Sequence, residues 1–253
     1  MSLPHLFLLF LAAVAAGAVN ALAGGGSIFT FPALIAAGVP PLVANVTNTV
    51  ALCPGYVGGV LGQWRDLDGQ GRRMAVLLPV ATAGGLAGAV LLTQTSEKTF
   101  ESLVPVLVLT ACGLLAVHDR VRALLSRRVA RIPLAWAIGP VFLAAVYGGY
   151  FGAGLSVIFL AMVGLAIDDN LTRLNALKQA MSLVTNVTAA LFFAAETPVA
   201  WPAAGVMAVG ALIGGALGGR LAGAVRPATL RAIVVAIGLL IAVYFAWDYW
   251  RGG

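Results

Sequence analysis

The chain has 253 residues, of which 61% are hydrophobic and 9% charged, and its formal net charge at pH 7 is +6. A soluble domain of this length would need far more surface charge, so the composition predicts a membrane protein with short loops and no attached soluble domain. The basic excess indicates loops on the cytoplasmic side that meet anionic lipid headgroups, and it does not favour nucleic-acid binding.

Apolar runs long enough to cross or enter the hydrocarbon layer recur along the whole chain. The first lacks a basic leader region, so we expect a membrane helix there rather than a cleaved signal peptide. The second and seventh are short and reach only about halfway across a bilayer. The expected fold is an all-α polytopic membrane protein with about 8–10 membrane segments, including short broken or re-entrant helices. The ten predicted segments are 4–23, 27–38, 42–64, 74–94, 102–118, 134–151, 155–167, 174–195, 203–224 and 232–250.

The two short segments occupy matching places in two similar halves of the chain. A shift of 130 residues aligns the glycine-rich stretch 84–88 with 214–218, and it also aligns Asn45 with Asn175. Chance similarity of alanine- and glycine-rich helices is the alternative explanation. Weakly similar halves with short segments at equivalent places are typical of transporters. We therefore expect a first membrane repeat at 1–118, a basic cytoplasmic linker at 119–133 and a second membrane repeat at 134–253.

The distribution of lysine and arginine predicts how the repeats are oriented. The linker carries five arginines and should be cytoplasmic. With five spans per half, the basic loops at 65–73 and 226–231 are also cytoplasmic, and the halves run in opposite directions as inverted repeats. An alternative treats the short segments as re-entrant, gives four spans per half in parallel, and places Arg226 and Arg231 outside.

A glycine-rich step precedes each short segment, GGGS in the first half and GAGLS in the second. Glycine lets the backbone unwind, and unwound backbone inside a membrane is tolerated only where protein or water satisfies it. A short helix that starts after such a break directs free N–H groups and its positive end at the break, which favours an anion. Close packing of small residues between helices is the alternative. The candidate residues are Gly24, Gly25, Gly26, Ser27, Gly152, Gly154 and Ser156.

A polar stripe follows each short segment on the next helix. In the first half, Asn45, Asn48 and Thr49 share one helix face, and in the second half Asn175, Lys178 and Gln179 do so. Such a stripe is costly against lipid, so it should face a partner helix or a water-filled path. Hydrogen bonding between helices explains it equally simply. The second stripe continues through Ser182, Thr185 and Asn186.

Lys178 is one of only two lysines in the chain and lies inside a predicted span. Its ammonium group either extends to the interface along its alkyl stem or forms a cation within the membrane, which favours an anionic substrate. Cys53 and Cys112 form no CxxC pair and the histidines form no cluster, so we expect no metal site and no cofactor. The enzyme motifs for acyl transfer, zinc hydrolysis and phosphate binding are also missing, which indicates a non-enzyme.

At these residues the sequence resembles the TauE/SafE family of membrane transporters. The resemblance lies in AGGGSIFTFPALIAAGVPPLVANVTNT in the first half and in GAGLS and NALKQ in the second. It implies secondary transport, as an exporter in the bacterial inner membrane, of small sulfur-containing anions such as sulfite or organosulfonates. We expect alternating access to a midplane site between the repeats. An anion channel, a transporter of another small organic anion and a non-transporting scaffold are the alternatives, and the sequence leaves a coupling proton or ion and a homodimer open.

Overall fold

The computed structural model describes residues 1–22, 25–125 and 133–221, together with Ala236. These residues form nine α-helices and no strand. The helices are α1 Leu3–Leu22, α2 Ser27–Ala36, α3 Pro41–Gly62, α4 Gly71–Thr93, α5 Glu97–Leu125, α6 Leu134–Tyr150, α7 Leu155–Ala166, α8 Leu171–Glu196 and α9 Trp201–Leu221. One short 3-10 turn, Trp64–Leu67, joins α3 to α4. The predicted all-α membrane class is confirmed.

The helix boundaries follow the hydropathy pattern closely, because a helix satisfies its own backbone polar groups inside lipid. Three of the described helices, α1, α4 and α5, are long and apolar enough to cross a membrane. With 22 and 26 residues, α3 and α8 are also long, and both carry buried polar side chains. The short second and seventh segments form helices of 10 and 12 residues. The tenth predicted segment, 232–250, lies outside the described residues.

The segment predicted at 102–118 is longer in the structure, where α5 runs from Glu97 to Leu125. Both ends of α5 are polar and lie outside the apolar stretch, so the hydropathy pattern predicts only the middle of the helix. The first seven residues of the expected linker, 119–125, therefore continue α5 as a helix, and residues 126–132 lie outside the described part.

Helix packing follows one pattern in both halves of the chain. Helix α1 packs on α9 as α6 packs on α4, and α3 packs on α9 as α8 packs on α4. Glycines permit the close approach: a side chain at Gly88 would meet the backbone of Val146, and one at Gly214 would meet the backbone of Val14. The helices that the 130-residue shift pairs therefore have similar packing partners in the two halves.

The contacts correct one detail of the alignment. Gly84 meets α6 as Gly210 meets α1, and Gly88 corresponds in the same way to Gly214. The predicted pairing of 84–88 with 214–218 is therefore wrong by four residues, which is about one helical turn. Glycines recur one turn apart in both helices, so the sequence alone permits either register. For α3 and α8 the contacts keep the predicted shift, because Gly85 approaches Thr185 as Ala211 approaches Gly55. The 130-residue shift also aligns Thr99 with Thr229, which lies outside the described residues.

Helices α3 and α8 run antiparallel at the centre of the molecule. The start of α8 lies beside the end of α3, since Asn175 bonds to Gln63, and Thr47 near the start of α3 bonds to Ala200 beyond the end of α8. Inverted repeats predict this antiparallel arrangement, whereas parallel repeats would make α3 and α8 run the same way. We call the end of the molecule where α5 finishes and α6 begins the linker end.

Candidate functional site

The chain breaks before α2 and α7 depend on glycines in the left-handed region. Gly25 has a φ of 97°, and Gly152 and Gly154 have φ values of 78° and 80°. Side chains other than glycine are strained there. Gly26 is held by its N–H, which donates to Asn20 Oδ1 at 2.7 Å. Gly24 lies outside the described residues.

Both breaks lie against the middle of α5. A side chain at Gly25 would meet Leu115 at 2.6 Å, and one at Gly154 would meet Leu114 at 3.2 Å and Ala111 at 3.4 Å. These three residues of α5 belong to one turn near its midpoint. The structure thus brings the two predicted glycine steps together from opposite halves of the chain.

The two short helices begin at this point and lead away from it in opposite directions. Helix α2 starts at the buried Ser27 and ends at the turn before α3, whereas α7 starts at Leu155 and reaches the linker end, where Gly164 packs against Leu125. Ser156 in the first turn of α7 is half-buried. The first N–H groups of a helix lack intrahelical partners and form its positive end. Two positive helix ends therefore face the centre of the molecule.

The first polar stripe forms a buried group that we call the α3 cluster, made of Asn45, Asn48 and Thr49. Asn48 Oδ1 accepts a hydrogen bond from Thr30 Oγ1 at 2.5 Å, and Thr49 Oγ1 donates to Asn45 O at 3.0 Å. Asn45 Nδ2 donates to Tyr150 O, at the end of α6, at 2.8 Å. The cluster therefore connects α3 to α2 and to the second glycine break.

The second polar stripe forms the α8 cluster, made of Asn175, Lys178 and Gln179. Lys178 is 4% exposed and Gln179 is 7% exposed, so both face protein rather than lipid. Gln179 Nε2 lies against Gly59, and Asn175 Nδ2 donates to Gln63 Oε1 at 2.8 Å. Lys178 has interaction partners within the protein. Any role for its charge therefore rests on its burial and position, not on a missing counter-ion.

The structure does not bring the two clusters to one point. Asn175 lies level with Gln63 and is therefore about 18 residues from Asn45 along α3, roughly 27 Å at the rise of an α-helix. Gln179 lies level with Gly59, roughly 16 Å from the level of Asn48 by the same measure. The α3 cluster lies beside the two glycine breaks, through Thr30 and the Tyr150 carbonyl, whereas the α8 cluster lies toward the linker end.

Several partners in this region escaped the sequence interpretation. Thr30, Gln63 and the Tyr150 carbonyl complete the two clusters, and Asn20 holds the first break. Thr30 lies one turn after Gly26, but that spacing alone does not assign it to Asn48. A backbone carbonyl at a helix end, such as that of Tyr150, carries no sequence signal.

A network of charged side chains lies at the linker end, beside the α8 cluster. Asp169 Oδ2 accepts hydrogen bonds from Arg73 Nη1 at 2.5 Å and from Arg173 Nε at 3.0 Å. The buried Gln70 links the same groups, because its Nε2 donates to Arg173 O and its Oε1 accepts from Arg73. Burial alone would raise the pKa of Asp169, but hydrogen bonds from Arg73, Arg173 and the Asn170 N–H outweigh burial and lower it below its ordinary value of 3.8.

Replacing Asp169 with asparagine should destabilise the protein at pH 7. The lowered pKa means that ionised Asp169 favours the folded state above about pH 4, and that this contribution is lost as the pH falls through the folded-state pKa. Hydrogen bonds to a charged group contribute about 1.5–3 kcal/mol each, which sets an upper scale for the loss. Thermal denaturation of the purified protein between pH 3 and pH 7 measures it. The exposed Asp68→Asn carries the same charge change and should have little effect; equal losses in both variants would contradict the network's role.

The fold and the site define a class before any relative is considered: an α-helical, multi-pass membrane protein whose two broken helices meet at its centre and whose central helices carry buried polar side chains, as in transporters. Residues 9–245 match the family model described as "Sulfite exporter TauE/SafE", so the chain belongs to the TauE/SafE family. The resemblance seen in the sequence is confirmed.

Curated bacterial relatives cover nearly the whole chain. The chain is 28% identical over 248 residues to the probable membrane transporter protein YfcA of Escherichia coli K12, covering 95% of this chain and 89% of the relative. It is 27% identical over 251 residues to a probable membrane transporter protein of Haemophilus influenzae, covering 96% and 95%. No solved structure matches. The protein is accordingly a multi-pass bacterial membrane transporter that acts on a small-molecule substrate.

Proposed function

We propose that the protein is a secondary transporter that exports small sulfur-containing anions such as sulfite or organosulfonates. The observation that carries the proposal is the meeting of the two glycine breaks and two short-helix N-termini at the middle of α5. Two positive helix ends favour an anion, and the buried cation of Lys178 on the α8 cluster adds to the same preference. The family description supports sulfite as the first substrate to test.

The substrate path in this proposal follows the α3–α8 pair. The anion binds beside Ser27 and Ser156 at the centre, next to the α3 cluster, and the α8 cluster lies along its way to the linker end. Gln179 and Asn48 supply amide N–H donors at these positions. This arrangement differs from the single group of anion contacts expected from the sequence. The two clusters lie too far apart to hold one small anion together.

The contacts between helices indicate that the two bundles that move during transport differ from the two halves of the sequence. Helix α9 packs with α1 and α3, and α4 packs with α6 and α8, so each half lends one helix to the other's bundle. We expect α1–α3 with α9 to move against α6–α8 with α4 during alternating access. The α3–α8 contact would then be the surface across which the two bundles slide.

Flux through reconstituted liposomes tests this function. Vesicles with the purified protein should take up or release labelled sulfite or an organosulfonate faster than empty vesicles, and the flux should saturate and show exchange against unlabelled substrate on the other side. No flux above empty vesicles for any of these anions would overturn the substrate assignment. Flux that neither saturates nor exchanges would instead select an anion channel, and transport of acetate but not sulfite would select another organic anion.

A further inference from the structure

The α3 cluster contains a buried hydrogen-bond acceptor, the side-chain oxygen of Asn45. Asn45 is 1% exposed, and its Nδ2 donates to the Tyr150 carbonyl at 2.8 Å. A carbonyl oxygen can only accept, so this bond fixes which way the amide is turned. Asn45 Oδ1 is therefore not used in the bond to Tyr150, and among the described residues it makes no hydrogen bond. A buried polar atom of this kind calls for a partner that donates a hydrogen bond or carries positive charge.

The surroundings of Asn45 carry the charge preference opposite to that of the central breaks. Tyr150 is the last residue of α6, and the last carbonyls of a helix form its negative end. The Tyr147 carbonyl already accepts from the N–H groups of Phe151 and Gly152, which closes the end of the helix. Tyr150 O retains a second lone pair beside Asn45. Oxygen acceptors at a negative helix end repel an anion and favour a cation.

We propose that Asn45 Oδ1 and the carbonyl end of α6 form a binding site for a monovalent cation, sodium. Hard cations prefer oxygen ligands, and sites for divalent ions recruit several carboxylates. The described residues hold no group of three or more acidic, histidine or cysteine side chains that could bind a metal ion. Neutral amide and carbonyl oxygens at a broken helix are the ligands with which transporters coordinate sodium.

The site gives the transporter a place for a coupling ion close to the anion. Asn45 bonds to the Tyr150 carbonyl, two residues before Gly152 of the second glycine break. A cation between α3 and the end of α6 would hold the two proposed bundles together at this point. Its role as a coupling ion rests on the proposed function, but sodium binding to the folded protein does not.

Sodium-dependent thermal stability tests the site directly. Purified protein is heated in sodium chloride, potassium chloride or N-methylglucamine chloride at equal ionic strength. A ligand that binds only the folded state raises its stability, so sodium near saturation should raise the apparent melting temperature by about 2–4 °C over the other salts. The Asn45→Ala variant should lose this increment. Asn48→Ala is the matched control, because it removes a neighbouring buried amide whose oxygen is already bonded to Thr30, and it should keep the increment.

Each remaining outcome decides the proposal. No sodium-specific shift in the unmodified protein, or a shift that persists in Asn45→Ala, would overturn the site and leave water as the partner of Asn45 Oδ1. If Asn45→Ala does not fold, Asn45→Asp retains an oxygen there and adds charge, so its sodium shift should equal or exceed that of the unmodified protein; its loss would also overturn the site. A protein that transports sulfite without any sodium shift would refute this inference and leave the proposed function standing.

Discussion

Replacing Gly88 with alanine should lower the apparent melting temperature of the purified protein by several degrees. A side chain at this position would overlap the carbonyl oxygen of Val146 and lie 2.8 Å from the Tyr150 N–H group. The obstacle is backbone rather than the end of a flexible side chain, so α4 and α6 must separate. Overpacking of this kind costs about 1–3 kcal/mol, and contact with backbone favours the upper part of that range.

A second variant, at the matching glycine of α9, tests whether the two halves of the chain pack in the same way. Gly214 contacts α1 as Gly88 contacts α6, so Gly214→Ala should produce a loss of similar size. Gly139→Ala on α6 and Gly113→Ala on α5 are matched controls, because a side chain at either glycine would meet nothing within 4 Å. Alanine is a better helix former than glycine by about 1 kcal/mol, so these two variants should be unchanged or slightly more stable. Equal behaviour of Gly88→Ala and Gly139→Ala would contradict the close helix approach.

Most of the fold could be predicted from the sequence because a membrane restricts the choice of structure so strongly. The segment 134–151 is helix α6 from Leu134 to Tyr150, and the segment 155–167 is α7 from Leu155 to Ala166. The glycine steps that define the short helices are equally legible, since few other residues open a helix inside a bilayer. Pro40 and Pro41 likewise mark the start of α3. The first N–H groups of a helix have no intrahelical partner, so proline, which has no N–H, loses no hydrogen bond there.

The sequence could not supply the positions of side chains on one helix relative to those on another, measured along the helix axes. Helical spacing places Asn45 and Asn48 on one face, but it does not say which residue of α8 lies beside them. Helices α3 and α8 run antiparallel, so Asn45 and Asn175, which the 130-residue shift aligns, lie toward opposite ends of the pair. The sequence alignment pairs these residues but does not indicate that they lie far apart.

Lys178 is the side chain whose loss should reduce transport most. It is 4% exposed in the α8 cluster, one turn from Ser182 and next to Gln179, which lies against Gly59 of α3. Lys178→Met keeps most of the side-chain volume and removes the charge, so it should lower sulfite or organosulfonate flux at least about tenfold, the effect of losing roughly 1.4 kcal/mol of interaction with an anion. Lys178→Arg retains the charge and should retain part of the flux.

The comparison with Lys98 separates a role in transport from a general effect of charge. Lys98 is the only other lysine in the chain and is exposed in the first turn of α5, so Lys98→Met should leave both flux and melting temperature unchanged. The melting temperature of Lys178→Met shows whether lost flux reflects lost folding, because Lys178 has partners inside the protein. A folded Lys178→Met protein with a raised KM for the anion would support direct electrostatic attraction of the substrate. Full flux in the same folded variant would remove Lys178 from the substrate path and leave the two helix N-termini as the source of anion selectivity.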